Sequence, residues 1–152
     1  NYGRSMIKDF NSGAVGWTDW NVLLDQTGGP NHVGNFCYAP VHGDTSTGKL
    51  HYMNSYYSIG HFSKFIRPGA RRISSSSMDT NLLTTAFLNP DNTVAVIVMN
   101  SSDKPQPFFL WLDGKAAKTV SPAHSIQTLI VPAPAAAPLV ASGKQASAAL
   151  RD

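Results

Sequence analysis

Glutamate is absent from this chain. Its 152 residues contain nine acidic side chains, and Asp9, Asp19, Asp25, Asp44, Asp79, Asp91, Asp103, Asp113 and Asp152 account for all of them. A reaction that requires a glutamate must draw it from elsewhere. Cysteine is nearly absent too. Cys37 stands alone, so no internal disulfide can form and cysteine-ligated metal sites are excluded. As a lone thiol it reads as a small buried apolar residue. Charge is sparse: 14% of residues are charged, and the net charge is +3. The basic residues are scattered, with only Arg71 and Arg72 adjacent, so there is no basic stripe for phosphates and nucleic acid is a poor partner. No apolar run approaches the roughly 18 residues of a membrane span. No signal peptide is apparent. Histidines 42, 51, 61 and 124 lack HxxxH or HxH spacing, so neither a metal nor another cofactor is expected. His61 reads as a packed, hydrogen-bonded helix residue. Ser74–Ser77 has no GxSxG elbow and reads as a solvated strand edge.

What remains is an ordinary globular composition, 42% hydrophobic. Three zones can be distinguished. In residues 1–68, Met6, Ile7 and Phe10 recur at helical spacing before Asn11-Ser12-Gly13 stops the helix. Residues 14–20 form a short apolar run that suits a buried strand. Residues 25–44 are rich in Gly, Asn and Pro and are predicted to be mostly loop. A second helix is predicted over 54–65, with Tyr57, Phe62 and Phe65 near one face, Ile59 and Ile66 beside them, and Pro68-Gly69 at its end. Helix, strand, long loop and helix make an α/β unit, the kind of remnant a (β/α)8 barrel would leave as its last unit.

Residues 69–131 form the second zone. Strands are predicted at 84–88 and 93–99 around the turn Asn89-Pro90-Asp91-Asn92, then at 108–112, 115–120 and 125–131. The 93–99 strand is apolar on both faces and therefore central. The set predicts an antiparallel β-sandwich, with further strands expected from outside the chain. Residues 132–152 are Ala/Pro-rich, then Ala/Ser-rich, and read as a disordered tail. The opening Asn1-Tyr2-Gly3-Arg4, without methionine, reads as the interior of a longer polypeptide.

The densest chemical constellation is Gly16-Trp17-Thr18-Asp19-Trp20-Asn21, followed by Gly28-Gly29-Pro30-Asn31 and Asn35-Phe36. Aromatic faces against C–H surfaces, with amides and carboxylates on hydroxyls, are what sugar binding uses. Composition alone equally fits a Trp-rich core strand ending in a polar turn.

The run GWTDWNVLLDQTGGPNHVGNF, residues 16–36, resembles the strand-eight signature of family 30 glycoside hydrolases, the glucosylceramidase family. YYSIGHFSKFIRPGARRI, residues 56–73, resembles the helix leading from that barrel into its β-sandwich. FLNPDNTVAVIVMN and SPAHSIQTLIV resemble the sandwich hairpin and last strand. The likeness extends from Asn1 to Val131 and is nearer the glucosylceramidase and β-1,6-glucanase branches than the glucuronoxylanases. It implies a retaining β-glycosidase whose two catalytic glutamates, at the ends of strands four and seven, precede Asn1. No catalytic residue is then expected in this chain, and alone it should be inactive. The resemblance implies substrate-binding roles for Trp20, under the cleaved sugar, and for Asn35 and Phe36, in the loop at the entrance. Trp17 and Asp19 match supporting positions near the pocket. His32 and Gly34 depart from the pattern, which leaves the aglycone open. The implied partners are a β-glucoside, glycolipid or β-glucan substrate and the missing N-terminal part of the same enzyme. A secreted or periplasmic location is expected for such substrates. The alternative is a non-catalytic carbohydrate-binding or structural β-sandwich module using an exposed aromatic such as Trp111. A truncated or proteolytic fragment that associates with a partner is a third reading.

Overall fold

The computed structural model describes residues 2–31 and 33–135. Helix α1, Tyr2–Asn11, opens it. Gly3, Met6 and Ile7 are buried and Phe10 is half-buried, which is one stripe at helical spacing. Gly3 lets the helix approach the sheet closely: a Cβ there would lie 3.0 Å from Ile126 Cδ1. Gly13, at φ +101°, ends the helix as its amide returns to the Phe10 carbonyl.

Three short strands follow, β1 (Leu23–Asp25), β2 (Val41–Gly43) and β3 (Leu50–Tyr52). β1 pairs with β2 in parallel, and β2 with β3 antiparallel. This corrects one sequence expectation. Residues 14–20 are irregular, with Val15 fully exposed, and the strand lies further on. Gly13, Gly16 and the left-handed Asn21 (φ 60°) break that run, so its apolar residues are not in extended register. The 25–44 stretch is mostly loop but supplies β2.

Helix α2, Asn54–Ser63, carries Ile59 and Phe62 to the core, with Ile66 just beyond its end. Tyr57, expected on that face, is exposed and stacks edge-on with Tyr56. The spacing 59, 62, 66 is the true stripe. Chain direction then turns through Pro68-Gly69 into β4 (Arg71–Ile73), β5 (Leu82–Leu88), β6 (Thr93–Asn100), β7 (Gln106–Leu112), β8 (Lys115–Ser121) and β9 (Ser125–Pro132). Residues 74–77 are an irregular link between β4 and β5 rather than a strand edge.

A four-stranded antiparallel sheet has the order β4-β5-β6-β9, and β7-β8 form a separate hairpin. β6 is central. On one face Ile97, with Phe87, meets Met6, Ile7 and Phe62 of the helices. On the other, Val94, Val96 and Val98 meet Phe108, Leu110 and Leu112 of β7. Strand alternation thus serves two cores at once. The turns have the expected chemistry. Asp91 Oδ1 accepts from the Thr93 amide at 3.0 Å and the Thr93 hydroxyl at 2.6 Å, and Asn92 takes φ 60°. Asp113 and Gly114 both have positive φ, 51° and 71°, as a two-residue hairpin turn of the right twist requires.

Buried Asn89 couples the two zones. Its Oδ1 accepts from the Arg67 amide at 3.0 Å, and its Nδ2 donates to the Phe65 carbonyl at 3.0 Å and to Thr93 Oγ1 at 3.1 Å. The end of α2 is therefore capped by the β5-β6 turn. His61, on the same helix, places Nδ1 2.9 Å from Thr128 Oγ1 on β9. Burial pushes its imidazole below the ordinary 6.5. The unfolded chain then binds the proton more readily than the folded one. His61 thus favours the folded state above about pH 6.5, and that contribution fades as pH falls through the depressed value. A His61→Gln chain is expected to lose less stability than wild type on acidification over that range, as urea titration would show.

Thr85, fully buried on β5, has a hydroxyl with no hydrogen-bond partner among the described residues. Thr85→Val keeps the shape and removes a buried polar atom. A gain of about 1 kcal/mol in unfolding free energy is expected, read from the urea midpoint at unchanged m. A loss would show that the hydroxyl is bonded. The expected disordered tail lies largely outside the described residues, which end at 135.

Candidate sugar-binding rim

The segment between α1 and β1 carries Trp17, Asp19 and Trp20. Trp17 is half-buried. Its Nε1 donates to Asp9 Oδ2 at 3.2 Å, its ring meets Tyr2 edge-on at 5.8 Å, and it packs on the helix-side core. It also lines a cavity of about 570 Å³ with Met6, Phe10, Phe62 and Phe87. Trp17 therefore anchors the segment to α1. Asp19 Oδ1 accepts from the Trp20 amide at 2.9 Å, a local turn that sets the Trp20 backbone. Burial, and then the neighbouring Asp19 carboxylate, raise the Tyr2 phenol above its ordinary 10.0. Trp20 itself is 69% exposed. So much indole presented to solvent is what a stacking platform needs. Asn21, in the left-handed region, then turns the chain into β1.

Asn35 and Phe36 lie in the loop between β1 and β2, and Phe36 is 63% exposed. The loop base is built by hydrogen bonds. Asp25 Oδ1 accepts from the Thr27 hydroxyl at 2.6 Å and from the amides of Thr27 and Gly29 at 2.8 and 2.9 Å. These bonds, the Thr27 hydroxyl foremost, hold the Asp25 carboxyl below its usual range. The Asp25 amide donates to the Gly29 carbonyl at 2.7 Å, and the Cys37 amide to the Gly28 carbonyl at 2.9 Å. The Gly29-Pro30 peptide is cis. Cys37 is half-exposed, not buried as expected, because it sits at this loop exit, with Sγ 3.5 Å from the Asn35 carbonyl. His32 lies outside the described residues.

The structure brings Trp17 and Asp19 together around Tyr2. It shows no hydrogen bond between Trp20 and the Asn35-Phe36 loop among the described residues; both project to solvent. Asp25 and His42 organise the loop, and sequence reading missed them. The Asp-x-Thr-x-Gly pattern at residues 25–29, typical of an Asx turn, was the available signal. No group of three metal-ligating side chains occurs among the described residues. Nor is any described helix long and apolar enough to cross a membrane.

Residues 1–66 match the glycosyl hydrolase family 30 TIM-barrel domain, and residues 69–129 match the glycosyl hydrolase family 30 β-sandwich domain. The lysosomal acid glucosylceramidase of Mus musculus is 38% identical over 131 residues, which is 85% of this chain and 25% of that protein. The crystal structure of SrfJ from Salmonella typhimurium is 38% identical with a TM-score of 0.84, covering 88% of this chain and 30% of that one. The endo-β1,6-glucanase BT3312 is 28% identical with a TM-score of 0.76, covering 84% and 30%. The chain thus spans about a quarter of the length of the curated relative, 25%.

Proposed function

Because this chain belongs to glycosyl hydrolase family 30, we propose that it is the C-terminal portion of a retaining β-glucosidase and supplies one wall of its sugar site. The observation that carries this reading is the succession of the family's barrel and sandwich domains along the chain. Trp20 stacks beneath the sugar that is cleaved, Asn35 and Phe36 border its entrance, and Asp19 and Trp17 hold Trp20 in place. The relatives' names point to glucosyl linkages, in a glycolipid for one and a β-glucan for the other. A β-glucoside, glycolipid or β-glucan is accordingly the proposed substrate, and a secreted or periplasmic compartment suits it.

Two carboxyl groups, one nucleophile and one acid/base, perform a double displacement in a retaining enzyme. This chain has no glutamate. Both groups come from the remainder of the protein, and the chain's own residues bind, orient and shield the sugar. Asp19 and Asp25 already spend carboxylate oxygens on local turns. The isolated chain is expected to show no turnover of an aryl β-glucoside above buffer. Robust hydrolysis by the chain alone would overthrow this reading. In the whole enzyme, Trp20→Ala is expected to lower kcat/KM roughly ten- to a hundredfold, the worth of about 1.4–2.7 kcal/mol.

Trp111, 68% exposed, favours a second reading. With Phe109 it forms an outward aromatic pair on β7, opposite Ala116 and Lys118 of β8. A carbohydrate-binding β-module would use this pair. Glucan titration separates the readings: loss of binding in Trp111→Ala but not Trp20→Ala would select the module.

A further inference from the structure

We propose that His42, as a neutral imidazole protonated on Nδ1, is a positioning residue that clasps the base of the loop carrying Asn35 and Phe36. The clasp stands on geometry; its effect on sugar binding rests on the functional reading above.

The Ala39 amide lies 3.2 Å from His42 Nε2 and can only donate, so Nε2 accepts. The Asp25 carbonyl lies 2.8 Å from Nδ1 and can only accept, so Nδ1 carries the hydrogen. One ring therefore joins the last residue of β1, where the loop begins, to Ala39 near the loop's end. The ring has a fixed base. His42 sits in the middle strand β2, paired with Leu24 of β1 and His51 of β3. The loop tip has no such anchor. Among the described residues, 30–36 make no hydrogen bond to the rest of the chain beyond the Cys37 thiol contact with the Asn35 carbonyl. Where Asn35 and Phe36 stand is therefore set at the base, by the Asp25 turn, the Gly28–Cys37 bond and the His42 clasp.

Protonation would place a second donor against the Ala39 amide and break one arm of the clasp. The Tyr38 ring lies 5.4 Å from the His42 ring, and His51 is its cross-strand partner.

Nitrogen NMR of the labelled chain is expected to show a pyrrole-type Nδ1 and a pyridine-type Nε2 at neutral pH. The reverse pattern would overturn the clasp without any variant. Hydrogen exchange then tests its two arms. His42→Phe is expected to speed exchange of the Ala39 amide about tenfold, the worth of one hydrogen bond. His42→Gln, whose amide can accept from Ala39 and donate to Asp25, should restore part of the protection. Unchanged Ala39 exchange in His42→Phe would sink the clasp. In the whole enzyme, His42→Phe is expected to raise KM for an aryl β-glucoside about tenfold at similar kcat, with His42→Gln near wild type. If exchange responds and KM does not, the clasp stands and the reading of the loop as the sugar-site rim falls.

Discussion

Asn100→Ala is expected to lower the unfolding free energy of the chain by about 3 kcal/mol, the largest effect of a single side-chain truncation outside the apolar core. Asn100 ends β6 and is fully buried. Its Nδ2 reaches the carbonyls of Lys104, Ser121 and Pro122 at 2.8, 3.1 and 3.0 Å. Its Oδ1 accepts from the Ser102 amide and hydroxyl at 2.9 and 2.8 Å. One amide thus ties the β6-β7 link to the β8-β9 link, which lie side by side at one end of the sandwich. Alanine leaves buried donors and acceptors unpaired and opens a cavity, and both costs act together. Asn100→Asp separates polarity from volume. It keeps the accepting oxygen but sets a carboxylate oxygen against three carbonyls. Its loss should equal or exceed that of alanine at neutral pH. Burial and the carbonyls raise that carboxyl's folded value, so its penalty should grow as pH rises and shrink in acid, where the protonated group can donate again. Urea unfolding of both variants across pH checks this. An Asn100→Asp chain as stable as wild type at neutral pH would refute the hydrogen-bond assignment.

Gly28→Ala is expected to disrupt the rim loop while sparing the sandwich. Gly28 has φ +87°, a region costly for any residue with a Cβ. The new methyl would also collide with the Cys37 carbonyl oxygen and lie 3.0 Å from the Cys37 nitrogen. These are backbone atoms, so no rotamer change relieves the clash. The Gly28–Cys37 hydrogen bond must break and the loop base must part. The local cost is expected to reach about 3 kcal/mol, seen as roughly hundredfold faster exchange of the Cys37 amide. Exchange in β5, β6 and β9 should be nearly unchanged, because the loop adds little to their cores. Gly16→Ala is the control: it has open space and no positive φ, and should be near neutral. Equal protection of Cys37 in Gly28→Ala and wild type would refute the loop model. In the whole enzyme the variant should weaken sugar binding as Asn35 and Phe36 lose their place.

The elements legible in the sequence share a physical feature. The β5-β6 hairpin follows from two apolar β-rich runs around Asn89-Pro90-Asp91-Asn92, and α1 follows from a stripe at 6, 7 and 10. In each, local propensity and burial agree. The misreadings occur where they part. Residues 14–20 have strand composition but two nearby glycines and a left-handed Asn21, and Trp17 packs back on α1 instead. Tyr57 lies two residues before Ile59 and five before Phe62, so it falls away from the core face of α2 that Ile59 and Phe62 form. Of the rim, Trp20 and Phe36 were named from sequence and are exposed; Tyr38, exposed in the same loop, was not named.

The chain's residues by themselves determined its family, the succession of α/β unit and β-sandwich, and the lack of glutamate, because each is a matter of composition, periodicity or motif. Only the tertiary structure decided which polar side chains hold the fold together. Asn89, Asn100 and His42 look like ordinary loop or strand polars in the sequence. Their importance comes from backbone donors and acceptors brought within 3.2 Å by folding. Such hydrogen bonds depend on the convergence of distant segments, and no local pattern encodes that.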